Sequence, residues 1–501
     1  MENNTQFLTT WNQVAPRYYV RQVYCFPYHA HCEDLEPLRR HISAALALAC
    51  EHFPDVAGKV VLGTTPAGQL LISKTGSDQV PLEVFDHRET FGCGYADLKA
   101  RGFPASAFVD PSFTVQYKLV EGGQGVPAAE IHARVIDGGL LLYIYFHHSI
   151  TDGIGMCNFI STFATYTRSG HVLHLGCPTD IHVDLPPATG AQLIESHTFE
   201  DLVKQCPEYV IVPDLSGPTV PRLQPFGVPL GCIQKTGRIF VFGPEKIEAL
   251  KTAVLEWRLS NGIATGNRNP STFACLAALT WSYATVMRMG IAPGSDVCHS
   301  IEGNPCFEGV DCRLLMPASW ARRAFQDIAK NYAGNAIALP NANSSLRSLF
   351  DVACSSAESL PATGDSLGSL VHCIETALAR VNDESVSTRT AMFRAAPDPR
   401  IIGVDLDPRD PRDFAFNSWR HLGADTLWGI PGIGGNESGT SGVPPDAVRR
   451  AQDAWNMGAG LIMPGHKRSR KYEVLLTLDT VSMMRLCSNE RWESWVDEIV
   501  Y

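Results

Sequence analysis

The sequence predicts a mixed α/β protein of two domains. Three observations carry that reading: the chain length, the alternation of strand-like and helix-like segments, and a proline-rich stretch near the midpoint. At 501 residues the chain exceeds the roughly 100–200 residues of an ordinary domain. Hydrophobic residues make up 45% and charged residues 19%, a balance that excludes a wholly disordered chain. Pro213, Pro218, Pro221, Pro225 and Pro229 fall close together. Proline lacks a donor N–H and fixes φ, which suits an extended linker better than a core element. The division is therefore an N-terminal domain over residues 1–212, a linker over 213–230 and a C-terminal domain over 231–501.

The elements follow from residue type and spacing. Residues 18–26 (YYVRQVYCF) are rich in aromatic and β-branched side chains and read as a strand. Leu35, Leu38, Ile42, Leu46, Ala49 and Phe53 recur every three to four residues, the spacing of one helix face, and Pro54 ends it. Residues 59–62 resume strand character. Residues 271–288 form an apolar helix with Ser271 as its expected N-cap, ended by Gly290 and Pro293. Residues 430–445 carry Gly432, Gly434, Gly435, Gly439 and Gly442 and read as a loop. No repeat of 20–50 residues is present, which disfavours a solenoid or propeller.

Charge and composition narrow the function. The formal net charge of −11 argues against a non-specific polyanion binder, so nucleic acid is not an expected partner. The opening residues are polar, and no run approaches the roughly 20 apolar residues that span a bilayer. The 15 cysteines contain no C-x-x-C pair and no zinc-ligand spacing, so they read as reduced thiols of a cytoplasmic, metal-free protein without a membrane partner.

The most informative window is residues 138–163, GGLLLYIYFHHSITDGIGMCNFISTF. An apolar run of buried-strand length, residues 140–146, ends at His147 and His148. Asp152 and Gly153 then open a helix with Met156, Phe159, Ile160 and Phe163 on one side. A strand followed by a polar turn holds an imidazole rigidly at a cleft, as proton transfer requires. With an unperturbed pKa of about 6.5, a histidine there can take a proton from a hydroxyl or amine and return it. The competing reading makes both histidines structural and Asp152 a helix cap.

HHSITDG, residues 147–153, resembles the HHxxxDG signature of the BAHD-type acyltransferases and their condensation-domain relatives. LTTWNQ (8–13), HFPDVAGK (52–59), VDCR (310–313), NYAGNA (331–336) and the closing residues 472–486 are similar to further family segments in the family's order. The last are particularly similar to fungal members such as the trichothecene acetyltransferases. The resemblance implies two chloramphenicol-acetyltransferase-like domains, mixed β-sheets with flanking helices, and a channel between them.

Carried over, His148 is the general base and His147 its supporting neighbour, while Asp152 and Gly153 are structural, Asp152 pairing with an arginine for which Arg313 is the candidate. Ser418 and Trp419 resemble a polar-Trp segment whose hydroxyl faces the channel and the oxyanion. DTLWG, residues 425–429, is a degenerate form of the family's D-F-G-W-G: Asp425, Trp428 and Gly429 match on the donor-side loop, whereas Thr426 and Leu427 do not. Leu427 adds bulk and resists a positive φ where the family has glycine. Lys467, Arg468, Arg470 and Lys471 form a basic cluster suited to phosphates.

The implied activity is transfer of an acyl group from a thioester, with acyl-CoA as co-substrate and no bound cofactor, to a hydroxyl or amine of a small-molecule acceptor of secondary metabolism, by a monomer. A carrier-protein thioester donor, a condensation reaction and a non-catalytic binding relative are the alternatives on the same fold. A hydrolase reading of GDSLG, residues 364–368, lacks the buried strand that a nucleophile elbow needs. No P-loop or dinucleotide fingerprint is present.

Overall fold

The computed structural model describes residues 4–29, 34–113, 119–169, 183–212, 227–263, 269–291, 309–329, 332–354, 357, 360–434 and 442–501. Most of the expected linker (213–226), Asn331 and the middle of the glycine-rich segment (435–441) lie outside the described residues.

Two mixed sheets dominate. The first is built from β1 (Tyr19–Pro27), β2 (Leu82–Asp86), β3 (Ala129–Ile136) and β4 (Gly139–His147). The second contains β5 (Lys235–Phe242), β6 (Asp311–Leu315), β7 (Asn341–Ser345), β8 (Asp413–Ser418), β10 (Ala459–Ile462), β11 (Tyr472–Asp479) and β12 (Glu498–Val500). β9 (Ala447–Arg450), although it lies between β8 and β10 in sequence, joins the first sheet. The strand orders are β9-β1-β4-β3-β2 and β7-β6-β8-β10-β11-β5-β12. In the first sheet only β2 and β3 run parallel; in the second, β6, β8 and β10 are parallel neighbours.

Every residue of β3 and β4 is buried. A strand of Leu, Ile, Phe and Tyr has no water-tolerant face, so its stable place is the middle of a sheet covered on both sides. Helix α1 (Glu36–His52) and helix α2 (Gly153–Ser169) pack together as part of the first core, with Ile42, Leu46, Phe159, Ile160 and Phe163 buried. The second sheet carries α3 (Pro244–Ser260), α4 (Thr272–Arg288), α5 (Leu346–Ala353) and α6 (Leu360–Ala379). α4 is buried on nearly all sides, which is why its sequence is apolar all round.

One local expectation is corrected, and the rejection of a nucleophile elbow at GDSLG holds. Ser271 occupies the N-cap position of α4 but makes no side-chain cap bond; its backbone N–H donates to Glu375 Oε1 at 3.2 Å instead. GDSLG is no turn at all: it lies within α6, and a Cβ at Gly368 would overlap the Trp257 ring of α3. That glycine serves helix packing.

The two halves also exchange material. β9 pairs antiparallel with β1, Ala447 opposite Cys25 and Arg450 opposite Gln22. The preceding segment drives Trp428 into the first core, where its ring lies 5.2 Å from Phe163, 5.5 Å from Tyr24 and 6.0 Å from Phe26, fully buried. Leu427 beside it has no positive φ and stays 43% exposed, so the departure from glycine is absorbed at the surface of the loop. Trp428→Ala should therefore destabilise the protein by about 3–5 kcal/mol. Urea unfolding checks this; a loss below about 1 kcal/mol contradicts the packing described.

Candidate active site

His147 and His148 sit where β4 ends. The His147 N–H donates to Ala128 O (2.8 Å) and the His148 N–H to Tyr18 O (2.9 Å), so both neighbouring strands hold the turn. The His147 ring packs edge-on to Tyr19 and is 1% exposed. Burial pushes its pKa down to about 3, with the charges of His148 and Arg17 acting in the same direction. His147 is thus a neutral packing residue. His148 is half-buried, and its ring lies edge-on to Tyr18 at 6.2 Å between centroids, while Tyr18 itself remains 47% exposed. Burial lowers the His148 pKa below 6.5, opposed by its own backbone, by Asp152 and by Asn335.

A chain of hydrogen bonds fixes which nitrogen of His148 carries the proton. The Asn335 backbone N–H donates to Asn12 Oδ1 at 2.7 Å. A backbone N–H is only a donor, so that atom of Asn12 must be its oxygen. The same oxygen accepts from Asn335 Nδ2 at 2.9 Å, and Nδ2 also donates to His148 O at 2.7 Å. Asn335 Oδ1 is then the atom facing His148 Nδ1 at 3.1 Å. An oxygen acceptor requires Nδ1–H, which leaves Nε2 with its lone pair. Asn12 is fully buried and Asn335 is 3% exposed, so water competes little for these bonds.

Asp152 and Thr151 anchor the same loop. Asp152 Oδ1 accepts from the N–H groups of Ile154 (2.8 Å) and Gly155 (3.2 Å) at the start of α2, and Oδ2 accepts from Ala336 N at 3.2 Å. Thr151 Oγ1 donates to Ala333 O at 2.7 Å. Burial pushes the Asp152 pKa up against these three N–H donors. Gly334 permits the approach: a Cβ there would meet Asn12 Oδ1 at 3.0 Å and the Tyr332 hydroxyl at 3.1 Å. Gly153 similarly faces Leu422, whose Cδ1 would lie 3.2 Å from an added Cβ.

Arg313 is not the partner of Asp152. It is bound by Asp405 (2.5 Å) and Asp413 (2.8 Å), the latter across the parallel β6–β8 pair. Backbone amides fill the role that an arginine was expected to play. Ser418 ends β8, and its Oγ accepts from Arg420 N at 3.3 Å; Trp419 follows, with the Arg450 guanidinium 6.0 Å from its ring centre. Asp425 accepts from Lys467 N at 3.0 Å and lies 3.3 Å from His466 Nδ1. Gly429 N donates to Thr167 Oγ1 at 2.9 Å, tying the loop to α2. The structure thus brings His147, His148, Asp152 and Gly153 together with the 332–336 loop, and sets Arg313 and Asp425 apart from them.

Asn12 and Asn335 were not among the residues expected to act. Their signal lay in LTTWNQ and NYAGNA, segments that mark resemblance without revealing that their asparagines meet. Lys467, Arg468, Arg470 and Lys471 are exposed and make no ion pair among the described residues. Their loop is pinned by Arg420, which donates to Lys471 O, His466 O and Ser469 O. Among the described residues there is no cluster of three metal-ligating side chains, and no helix long and apolar enough to cross a membrane.

Asp152→Ala removes a helix cap and leaves the Ala336 N–H without its acceptor, which predicts a stability loss of about 1–3 kcal/mol. Asp152→Asn, which retains an acceptor oxygen, should lose less. Paired urea titrations distinguish the two; equal stability of wild type and Asp152→Ala would contradict the anchoring role.

Residues 18–166 match the family described as the trichothecene 3-O-acetyltransferase-like N-terminal domain. An acyltransferase of Emericella nidulans, easC, is 27% identical over 296 residues, covering 56% of this chain and 58% of that protein. A trichothecene 8-O-acetyltransferase of Fusarium sporotrichioides is 24% identical over 176 residues, covering 34% and 35%. The chain spans a little over half the length of the first of these relatives, and less of the other. The crystal structure of F. graminearum TRI101 with coenzyme A and T-2 mycotoxin superposes with a TM-score of 0.71 at 18% identity, covering 99% of this chain and all of that one. Vinorine synthase superposes at 0.56 and 15% identity, covering 100% and 99%. By sequence the chain is similar to fungal acyltransferases, and by fold it resembles TRI101 and vinorine synthase.

Proposed function

We propose that the protein transfers an acyl group from acyl-CoA to a hydroxyl or amine of a small-molecule acceptor, with His148 as general base. The observation that carries this reading is the Nδ1–H of His148 held on Asn335 Oδ1 at 3.1 Å, which leaves a basic Nε2. The named relatives, acyltransferases and a trichothecene acetyltransferase, support the reaction class and an acceptor from secondary metabolism. Both His148 and Asn335 come from one chain, which supports a monomeric site formed between the parts 1–212 and 231–501.

In this reading Nε2 takes the acceptor's proton as its oxygen or nitrogen attacks the thioester carbonyl. The imidazolium that forms is stabilised through Nδ1–H by Asn335 and by the nearby Asp152 carboxylate. The Ser418 hydroxyl, whose oxygen accepts from Arg420 N, keeps its own proton for donation to the oxyanion. The tetrahedral intermediate then collapses, the C–S bond breaks, and His148 returns the proton to the departing thiolate, which is a good leaving group because thiol pKa values lie near about 8.5. Lys467, Arg468, Arg470 and Lys471, which make no ion pair among the described residues, supply charge for the CoA phosphates.

The test is acyl transfer by the whole protein from a panel of acyl-CoAs to hydroxylated and amino metabolites, with mass detection of products. His148→Ala should lower turnover by at least about 10²-fold. A lowered imidazole pKa keeps the base unprotonated further into acid, so the acidic limb of kcat/KM should fall below pH 6.5. Turnover retained by His148→Ala, or an acidic limb above pH 6.5, would sink the assignment.

A further inference from the structure

Two adjacent arginines at the end of β9 meet opposite fates. Arg449 is 3% exposed and fully engaged: it donates to Phe103 O (2.8 Å), Gly102 O (2.9 Å) and Val448 O (3.2 Å), and pairs with Glu473 at 2.8 Å. Arg450 is half-buried, yet among the described residues its guanidinium makes no hydrogen bond and no ion pair; its one described side-chain contact is the Trp419 ring at 6.0 Å. No nitrogen of Arg450 is sealed from solvent without a partner, so its donors stay open to a bound group. The neighbouring charges do not cancel its own. Asp453 is bound to Arg21 at 2.9 Å, so Arg21, Arg450 and Asp453 together retain one positive charge.

Its position relates it to His148. Arg450 lies opposite Gln22 on β1, and β1 in turn pairs with β4, Tyr19 opposite His147. Two strand spacings and four residues separate Arg450 from His148, about 16 Å between Cα atoms. Tyr18, which immediately precedes β1, lies between them and packs edge-on to His148. His148 and Arg450 thus lie within the span of one bound small molecule, with Tyr18 against the former and Trp419 against the latter.

We propose that Arg450, backed by the Trp419 ring, is a recognition site for an anionic oxygen group, a carboxylate or phosphate, on a substrate whose reacting end lies at His148. A guanidinium fork matches the two oxygens of such a group, and the flat aromatic wall behind it favours a planar scaffold. The inference rests on the transfer reading only for taking the space beside His148 as the substrate path.

The test is therefore one of binding. Calorimetry compares 2-naphthoate with the neutral, similarly shaped 2-naphthamide on the whole protein. Wild type should bind the acid at least about tenfold more tightly, as expected for a charge-assisted pair. Arg450→Gln should bring the two ligands within about twofold, and Arg450→Lys should retain part of the preference. Thermal unfolding of each variant checks its fold, and the wild-type comparison stands without them.

Saturating CoA separates the sources of the anion. Competition with naphthoate assigns the group to the donor, whereas simultaneous binding assigns it to the acceptor. Equal wild-type affinity for acid and amide, or a preference that survives in Arg450→Gln, overturns the proposal. Absence of acyl transfer from every acyl-CoA in the panel would instead refute the transfer reading while leaving the naphthoate result intact.

Discussion

The backbone N–H of Asn335 is a small group on which much of the site depends. Because it can only donate, it fixes the side-chain oxygen of Asn12; that oxygen fixes Asn335 Nδ2, and Asn335 Oδ1 then fixes the protonated nitrogen of His148. Each bond lies in a region from which water is largely excluded, so no member can reorient without leaving a buried polar group unsatisfied. The outcome is an imidazole with one defined tautomer and a depressed pKa. The chain of bonds also joins parts of the sequence more than 300 residues apart, so the His148 imidazole is oriented only once the whole protein has folded.

The other residues of the HHSITDG segment serve that same docking. Asp152 starts α2 and grips Ala336; Thr151 grips Ala333; Gly334 lets the loop come close. From the other direction, β9 and Trp428 insert material of the second half into the first core. The site is thereby assembled at a seam that is laced from both sides, and the loops carrying Ser418, Trp419 and Asp425 hang from the same lacing. A rigid frame with polar groups on its loops is the arrangement that positioning for proton transfer demands.

Much of the frame was legible in the sequence because its signals are local. The apolar run before His147, the 3.6-residue spacing of Leu38, Ile42, Leu46 and Ala49, and the all-apolar helix after Ser271 each announce a burial pattern. The place of the histidine pair at the strand end and the cap role of Asp152 were legible for the same reason. What was not legible depended on contacts distant in sequence. Arg313 looked like a free partner for Asp152 until Asp405 and Asp413, about 100 residues away, were seen to claim it. Asn12 and Asn335 are unremarkable polar residues until the fold brings them together. The bond from the Ser271 N–H to Glu375 of another helix was hidden for the same reason.

The central claim, that His148 is a neutral imidazole protonated on Nδ1 with Nε2 free, is tested most directly by nitrogen NMR of protein labelled in histidine, assigned by comparison with His148→Ala. The account predicts an Nδ1–H resonance and an unprotonated Nε2 for His148 that persist below pH 6.5. An Nε2–H tautomer, or an imidazolium already formed at pH 6.5, would contradict it.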